Sequence, residues 1–578
     1  MRTIRVGNCS GFYGDRFSAM REMLEGGELD YLTGDYLAEL TMLILGRDRM
    51  KDPTLGYAKT FLRQVGENLA LARQRGVRIV ANAGGLNPAR LADAIRKAAA
   101  EQGIDVAVAH VEGDDLLARS AEFGFGDALT ANAYLGAFGI AEALTRGADV
   151  VVTGRVTDAS VVVGPAIAEF GWGRDDLDRL AGAVVAGHVI ECGAQATGGN
   201  FSGFADIDIS RPIGFPIAEI DAAGGVVVTK HDGTGGAVTV DTVTAQLVYE
   251  IQGEHYLNPD VAVDLTSIEL TQQAPDRVAV TGVRGFAPPA TTKVCLNAFG
   301  GFRNSVEFVL TGLDIEAKAA WVRSQLEAAL TDPPAEIEWD LVRTDRPDPA
   351  TEPEAVALLR CHVKDADQAA VGRAFSGAAV ELALASYPGF HLTAPPGAGS
   401  PYGVYRAAYV PQAEVPHVVV HADGSRTEVA APTAFCGDFH GSSPATGGEL
   451  HKTGAARAEV PKTEGGGTPL GRLVYARSGD KGGDANVGVW IPAKHPRRDE
   501  AFAWLAGFLT EETVRELLPE TAGLDIEVHP LPNLAGLNVI LHGLLGEGVA
   551  SSTRFDPQAK AVGEWLRARM VPIPEELL

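Results

Sequence analysis

Arg477, Asp480, Lys481 and Asp484 fall close together, interleaved with Gly479, Gly482 and Gly483. The two cations can hold an anionic group, while the carboxylates orient them or accept protons. Apolar residues Leu473–Ala476 lead in and Asn486–Ile491 lead out. The stretch therefore reads as a charged loop between two strands. A plain hairpin needs only about two to five turn residues, and the glycines let backbone approach a ligand closely. A self-satisfied surface ion network is the competing reading.

Four further groups lie where parallel strands should end. Asn8 and Ser10 follow a first strand, and Asn82, Gly84, Gly85 and Asn87 follow another. Asp114 and Asp115 follow a third, and Arg155 and Asp158 a fourth. Ligands of open parallel sheets bind beyond such carboxyl ends. Ordinary turn and cap chemistry uses the same residue types, so the agreement of four loops is what favours a functional rim. No dinucleotide fingerprint or phosphate loop is present, though a backbone nest at Gly84-Gly85 before Pro88 could hold an anion. Arg155 suits a carboxylate or phosphate, or an ion pair with Asp158. Asp114 and Asp115 suit a general base or a metal ligand, or the cap of a helix from Leu116 onward.

His188, Glu191 and Cys192 share one face of an expected helix, as an acid–base or metal cluster or as core. The glycine-rich stretch after them, with Gly198 and Gly199, reads as a lid or anion cradle. Lys230 and His231 end a strand and form an acid–base or phosphate-contact pair, or a plain turn. Cys9 and Ser10 lack a nucleophile-elbow context.

The elements that must position these groups alternate. Strands are expected at Thr3–Val6, Val77–Ala81, Asp105–Ala109 and Asp149–Val152. Helices are expected at Tyr57–Arg75, Pro88–Glu101 and Thr130–Arg146. This predicts an α/β domain over residues 1–235 with a mostly parallel sheet. An α+β region over 236–440 follows, with strands at Lys293–Leu296, Val306–Leu310, Glu336–Val342 and Val356–Val363 and helices at Ile315–Leu330 and Asp367–Ala385. Residues 441–468 are rich in chain breakers and read as a linker. Residues 469–578 read strand, strand, helix (Glu500–Leu518), strand, strand, helix, which suits a small ferredoxin-like module.

The chain has 578 residues and a formal charge of −26. That acidity argues against nucleic-acid and anionic-membrane partners. Five dispersed cysteines without a C-x-x-C fit reduced thiols in a cytosol. No apolar run reaches the roughly 18 residues a membrane span needs, and no targeting segment is visible.

Several of these segments together resemble the acyclic terpene utilisation protein family, AtuA. They are Asn8–Asp15, Thr33–Thr41, Asn82–Pro88, Thr153–Ser160, Gly187–Gln195 and Ala476–Asn486. The resemblance spans essentially the whole chain, and the last segment is similar to the mark of the family's ferredoxin-fold module. It implies a place in the breakdown of acyclic terpenes and related branched acids, which proceeds through coenzyme A thioesters. It carries over no catalytic residue. The expectation is a cytoplasmic homo-oligomeric enzyme, a lyase or hydratase, with coenzyme A as part of its substrate and no other cofactor or metal. Asp114, Asp115, Lys230 and His231 would handle the proton. Asn8, Ser10, Asn82, Gly84, Gly85, Asn87, Arg155, Asp158, Gly198, Gly199, Arg477, Asp480 and Lys481 would bind the acyl-CoA. The alternative is a non-catalytic scaffold or accessory subunit of an acyl-CoA carboxylase-type assembly.

Overall fold

The computed structural model describes residues 2–437 and 467–578. Short runs of Val, Ile and Ala, buried on both faces, form the centre of the main sheet. Its early strands are β1 (Thr3–Asn8), β2 (Tyr31–Gly34), β3 (Arg78–Ala81) and β4 (Val108–Glu112). Next in the chain come β5 (Ala128–Ala133), β6 (Val150–Thr153), β7 (Pro216–Asp221) and β8 (Val226–Lys230). Five of these pair in parallel in the spatial order β1-β2-β3-β6-β4. Antiparallel strands extend both edges to 11 in all: β7, β8, Arg277–Thr281 and Glu269–Ala274 beyond β1, and Val418–Val420 and Arg426–Glu428 beyond β4. The sheet therefore runs past residue 235, where the sequence suggested a boundary.

Side-chain alternation sorts the two faces. Ile79, Ala81, Val150 and Val152 pack with Leu91, Ala92 and Ile95 of the helix Pro88–Glu101. Val80 and Val151 pack on the other face with Val161, Val162 and Val163 of the helix Ser160–Phe170. After β3 the chain thus turns to one face, and after the neighbouring β6 it turns to the other. That divergence opens a crevice beyond the carboxyl ends of the two strands.

Two compact units emerge. One holds residues 1–297, 405–549 and 556–578, so it joins the N-terminal sheet and the C-terminal module. The other holds 298–404 and 550–555. It is built on the strands Glu336–Arg343 and Val356–Asp365 and the helices Ile315–Ala329 and Arg373–Glu381, with Val322, Leu326, Leu359 and Phe375 in its core. The expected linker lies outside the described residues, apart from Gly467 and Thr468.

Most expected elements recur within a few residues; the helix expected over Asp367–Ala385 breaks at Gly372 into Gln368–Val371 and Arg373–Glu381, and three others differ for physical reasons. The helix expected over Thr130–Arg146 is β5 followed by the helix Phe138–Thr145. Ala131 and Ala133 pack against Val294 and Leu296, so strand pairing prevails over the helical preference of an alanine-rich stretch. The helix expected over Glu500–Leu518 divides into Arg498–Phe508 and Glu511–Leu517, because Thr510 caps the second piece by accepting from Thr513 N. The two strands expected at 293–296 and 306–310 are one strand, Thr291–Thr311.

The charged loop is also redrawn. Strands Tyr475–Lys481 and Asp484–Trp490 pair in unbroken register from Tyr475↔Trp490 to Lys481↔Asp484. Only Gly482 and Gly483 turn, with Gly482 at φ +67°. The charges therefore sit on a rigid hairpin. It belongs to a four-stranded antiparallel sheet completed by Gly536–Leu541 and Ile526–Leu531, as in the expected ferredoxin-like module.

Candidate functional site

Adjacent strand ends deliver the rim residues in a row. Beyond β2, Asp35 is buried and its Oδ1 accepts from Asn82 Nδ2 at 2.6 Å and Leu37 N at 3.0 Å. Asn82, beyond β3, also accepts from Tyr36 N at 2.7 Å. Arg155, beyond β6, is only 2% exposed. Its Nη1 donates to Leu37 O at 3.2 Å and to Asp158 Oδ1 at 2.7 Å, while its guanidinium lies 4.2 Å from the Tyr134 ring centroid. Burial, reinforced by Asp158 and opposed by Arg155, raises Asp35 well above the usual carboxylate range. The crevice between β3 and β6 is tight: a Cβ on Gly84 would lie 2.5 Å from Thr153 O.

Asp114 supports this arrangement from beneath. Its Oδ2 accepts from Arg155 N and Asn132 Nδ2, each at 2.8 Å. A Cβ on Gly154 would lie 2.2 Å from Asp114 Oδ1, so glycine is required for that approach. Asp115 instead pairs with Arg49 at 3.1 Å and accepts from Leu117 N. Asn8 accepts from Ser10 N at 2.8 Å and donates to Glu191 O at 3.2 Å. Ser10 Oγ donates to Phe12 O, and Asn87 Nδ2 donates to Leu55 O. Gly85 and Gly198 supply the left-handed backbone at φ +54° and +112°, and Gly199 N donates to Ala194 O.

Lys230 and His231 are held by their own surroundings. Lys230 Nζ donates to Thr234 O at 3.1 Å and pairs with Asp276 at 3.2 Å. His231 Nε2 meets Met23 O at 3.0 Å, with its ring against Gly26 and Gly27. Among the described residues, no hydrogen bond or ion pair links either to the Arg155 cluster.

The hairpin docks on this same unit. Ser202 Oγ bridges Ala476 N and O, and Glu250 N donates to Asn486 Oδ1 at 2.7 Å. Arg477 donates to Gln195 Oε1 and to Asn200 O, and lies 4.2 Å from the Tyr249 ring centroid. The glycine-rich stretch after Glu191 is thus pinned by the module. Asp480 pairs with Lys560 at 3.0 Å, and Lys560 with Glu250 at 3.2 Å. Glu250 holds a left-handed backbone, φ +55°, unusual for a residue with a Cβ and typical of functional sites.

Between rim and hairpin lies a ring of charges that the sequence did not bring together. Lys293 Nζ donates to Glu39 Oε1 at 3.2 Å and faces the rings of Tyr134 and Tyr405. Both side chains of that pair keep 22% of their surface open. Burial alone would raise Glu39, but Lys293, Arg155 and Lys481 bring it down to about 2. Lys481 also acts on His188, Glu191 and Glu250. Its ammonium makes no hydrogen bond or ion pair among the described residues. Burial pushes Asp480 up to about 6, with Lys560 opposing.

His188 and Glu191 complete the ring. They sit at the end of the helix Leu177–Ile190, and His188 Nδ1 lies 3.4 Å from Glu191 Oε1. The thiols play no comparable part: burial pushes Cys9 up to about 12 and raises Cys192 well above the usual thiol range, so neither is a ready thiolate. Among the described residues, no group of three or more His, Cys, Asp or Glu side chains is arranged to hold a metal ion. A separate cavity of about 30 Å³, lined by Arg174, Asp260 and His417 among others, has room for roughly one water.

Of the expected residues, the structure gathers Arg155, Asp158, Arg477, Asp480 and Lys481 about this ring, with Asn8, Asn82 and Asp114 as supports. It adds Asp35, Glu39, Lys293, Glu250 and Lys560. Asp35 and Glu39 lay within the Thr33–Thr41 segment already singled out; Glu250 and Lys560 had no local signal.

Residues 4–421 match the acyclic terpene utilisation family protein AtuA, and residues 468–572 match the AtuA ferredoxin-like domain. No curated protein and no solved structure matches the chain. The chain belongs to the AtuA family, whose context is the utilisation of acyclic terpenes.

Proposed function

We propose that this AtuA-family chain is a cytoplasmic enzyme of acyclic terpene or branched acyl-CoA catabolism, a lyase or hydratase acting on a CoA thioester. The observation that supports it best is the convergence of Arg155, Lys293 and Lys481 on Glu39, among further carboxylates. Lyase and hydratase chemistry on a thioester passes through an enolate, which needs fixed positive charge and a proton-transfer group. Lys481 is the cation left free to take the developing oxyanion. Arg155, locked by Asp158, Leu37 O and the Tyr134 ring, supplies a fixed field. No helix among the described residues is long and apolar enough to cross a membrane.

The test is to incubate the purified protein with a panel of branched and terpenoid CoA thioesters and with free CoA. Thermal stabilisation and a change in acyl mass are expected for at least one thioester. Lys481→Met should then lower turnover at least about tenfold, the scale of one lost charge-assisted hydrogen bond. Absence of both stabilisation and mass change across the panel would refute the reading.

A further inference from the structure

Buried polar atoms in folded proteins nearly always have a hydrogen-bond partner, so orphans clustered at one place need an explanation. His188 is 3% exposed and Glu191 6%. Neither ring nitrogen of His188 has a hydrogen-bond partner, and Glu191 Oε2 has none either. Glu39, Lys293, Arg155, Asp158, Glu250, Lys560 and Asp480, by contrast, each make at least one hydrogen bond or ion pair.

The placement of the pair is determined from several sides. Helical spacing puts both side chains on one face. Glu191 N donates to Gly187 O, and Asn8 caps the helix end through Glu191 O. The His188 ring rests 4.4 Å from the Tyr256 ring. Glu191 meets the fields of Asp158 and Asp35 from the strand ends, and those of Glu250 and Lys481 from the hairpin side. Charges from both sides of the ring thus bear on it.

We infer that Glu191 is the proton donor of this site, giving its proton to a substrate oxygen, and that His188, with Nδ1 3.4 Å from Glu191 Oε1, is the positioning residue beside its carboxyl. The inference rests on the acyl-CoA reading above. The proton leaves Glu191 Oε and its bond pair stays on the carboxylate. The substrate oxygen gains the O–H bond, and water returns a proton at the end of the cycle. The electrostatics agree. Burial, then Asp158, Asp35 and Glu250, keep Glu191 protonated well above the usual range, against Lys481. Burial and Lys481 keep His188 neutral down to about 4.

The test compares the full chain with Glu191→Gln and Glu191→Asp. At neutral pH the infrared difference spectrum of wild type minus Glu191→Gln should contain the carbonyl stretch of one buried carboxylic acid, beyond the bands that Asp35 and Asp114 contribute to both proteins. Glu191→Gln should bind the accepted thioester with unchanged thermal stabilisation but turn it over about a hundredfold more slowly, the scale of general-acid catalysis. Glu191→Asp should recover part of the rate. A difference spectrum without the band, or Glu191→Gln within about twofold of the wild-type rate, would overturn the assignment. A difference band at Glu191 with no thioester accepted would refute the CoA reading alone and support the protonated Glu191 carboxyl, so the two ideas fail separately.

Discussion

At the scale of single residues, the site is organised by burial of carboxyl groups next to fixed cations. Glu39 and Glu191 illustrate the two outcomes. Three cations keep the first ionised, while burial among carboxylates keeps the second protonated. Asp114 offers a direct measure of the same physics. Burial pushes its carboxyl up to about 7 in the fold, although two donors on Oδ2 oppose this. The unfolded chain releases that proton near pH 4. The native state thus binds a proton that the unfolded state has lost, and stability falls as pH rises from about 4 to 7. Asp114→Asn cannot titrate there. The wild type should therefore lose urea resistance relative to this variant between pH 5 and pH 8, by up to about 1.4 kcal/mol per pH unit. Parallel stability profiles for the two proteins would show that Asp114 is ionised throughout.

At the scale of elements, the hairpin matters through its rigidity. An open loop would have to order its charges on binding, at an entropic cost. A hairpin in continuous register presents Lys481 already placed. Its turn depends on Gly482, whose φ of +67° disfavours any L side chain, and a Cβ there would lie 2.7 Å from the Tyr405 ring. Gly482→Ala should cost about 1–2 kcal/mol for the left-handed backbone alone. It should also lower turnover by displacing Lys481. Chemical denaturation and steady-state rates measured on the same preparation will check both. A variant as stable and active as wild type would mean that the turn adapts freely.

At the scale of the whole molecule, the C-terminal module has its own core, centred on Val487, Leu505, Leu537 and Val539. Yet Trp490, at the end of the hairpin, is buried in the core of the N-terminal sheet with Val243, Val248 and Ile251. Its indole N–H reaches Asp241 Oδ1 at 3.1 Å. Module and sheet are therefore joined through an aromatic anchor as well as through the charges. Trp490→Ala should cost about 3–5 kcal/mol, as large aromatic truncations in cores do. It should also reduce activity while leaving residual helical structure, read by circular dichroism and turnover. Stability unchanged within about 0.5 kcal/mol would show that the anchor contributes nothing beyond surface contact.

Much of the architecture was legible in the sequence because its signals are local. Period-two and period-3.6 patterning located the parallel strands and most helices, and the polar residues after Val6, Ala81 and Val152 marked the strand ends. The i, i+3 spacing of His188 and Glu191 was readable too, and so was the family, from Asn8–Asp15 to Ala476–Asn486. The extent of the sheet was not, since Glu269–Ala274 and Val418–Val420 join it by pairing across long sequence separations. Nor could local pattern show that Arg477–Lys481 is a strand, because charges and glycines suggest a loop until register with Asp484–Trp490 is known. Sequence determined which chemical groups are present and which helix or strand bears them. Tertiary structure alone decided that Glu39, Lys293, Glu250, Lys481 and Lys560 share one field, because electrostatic coupling depends on distance and burial in space and leaves no trace in separation along the chain.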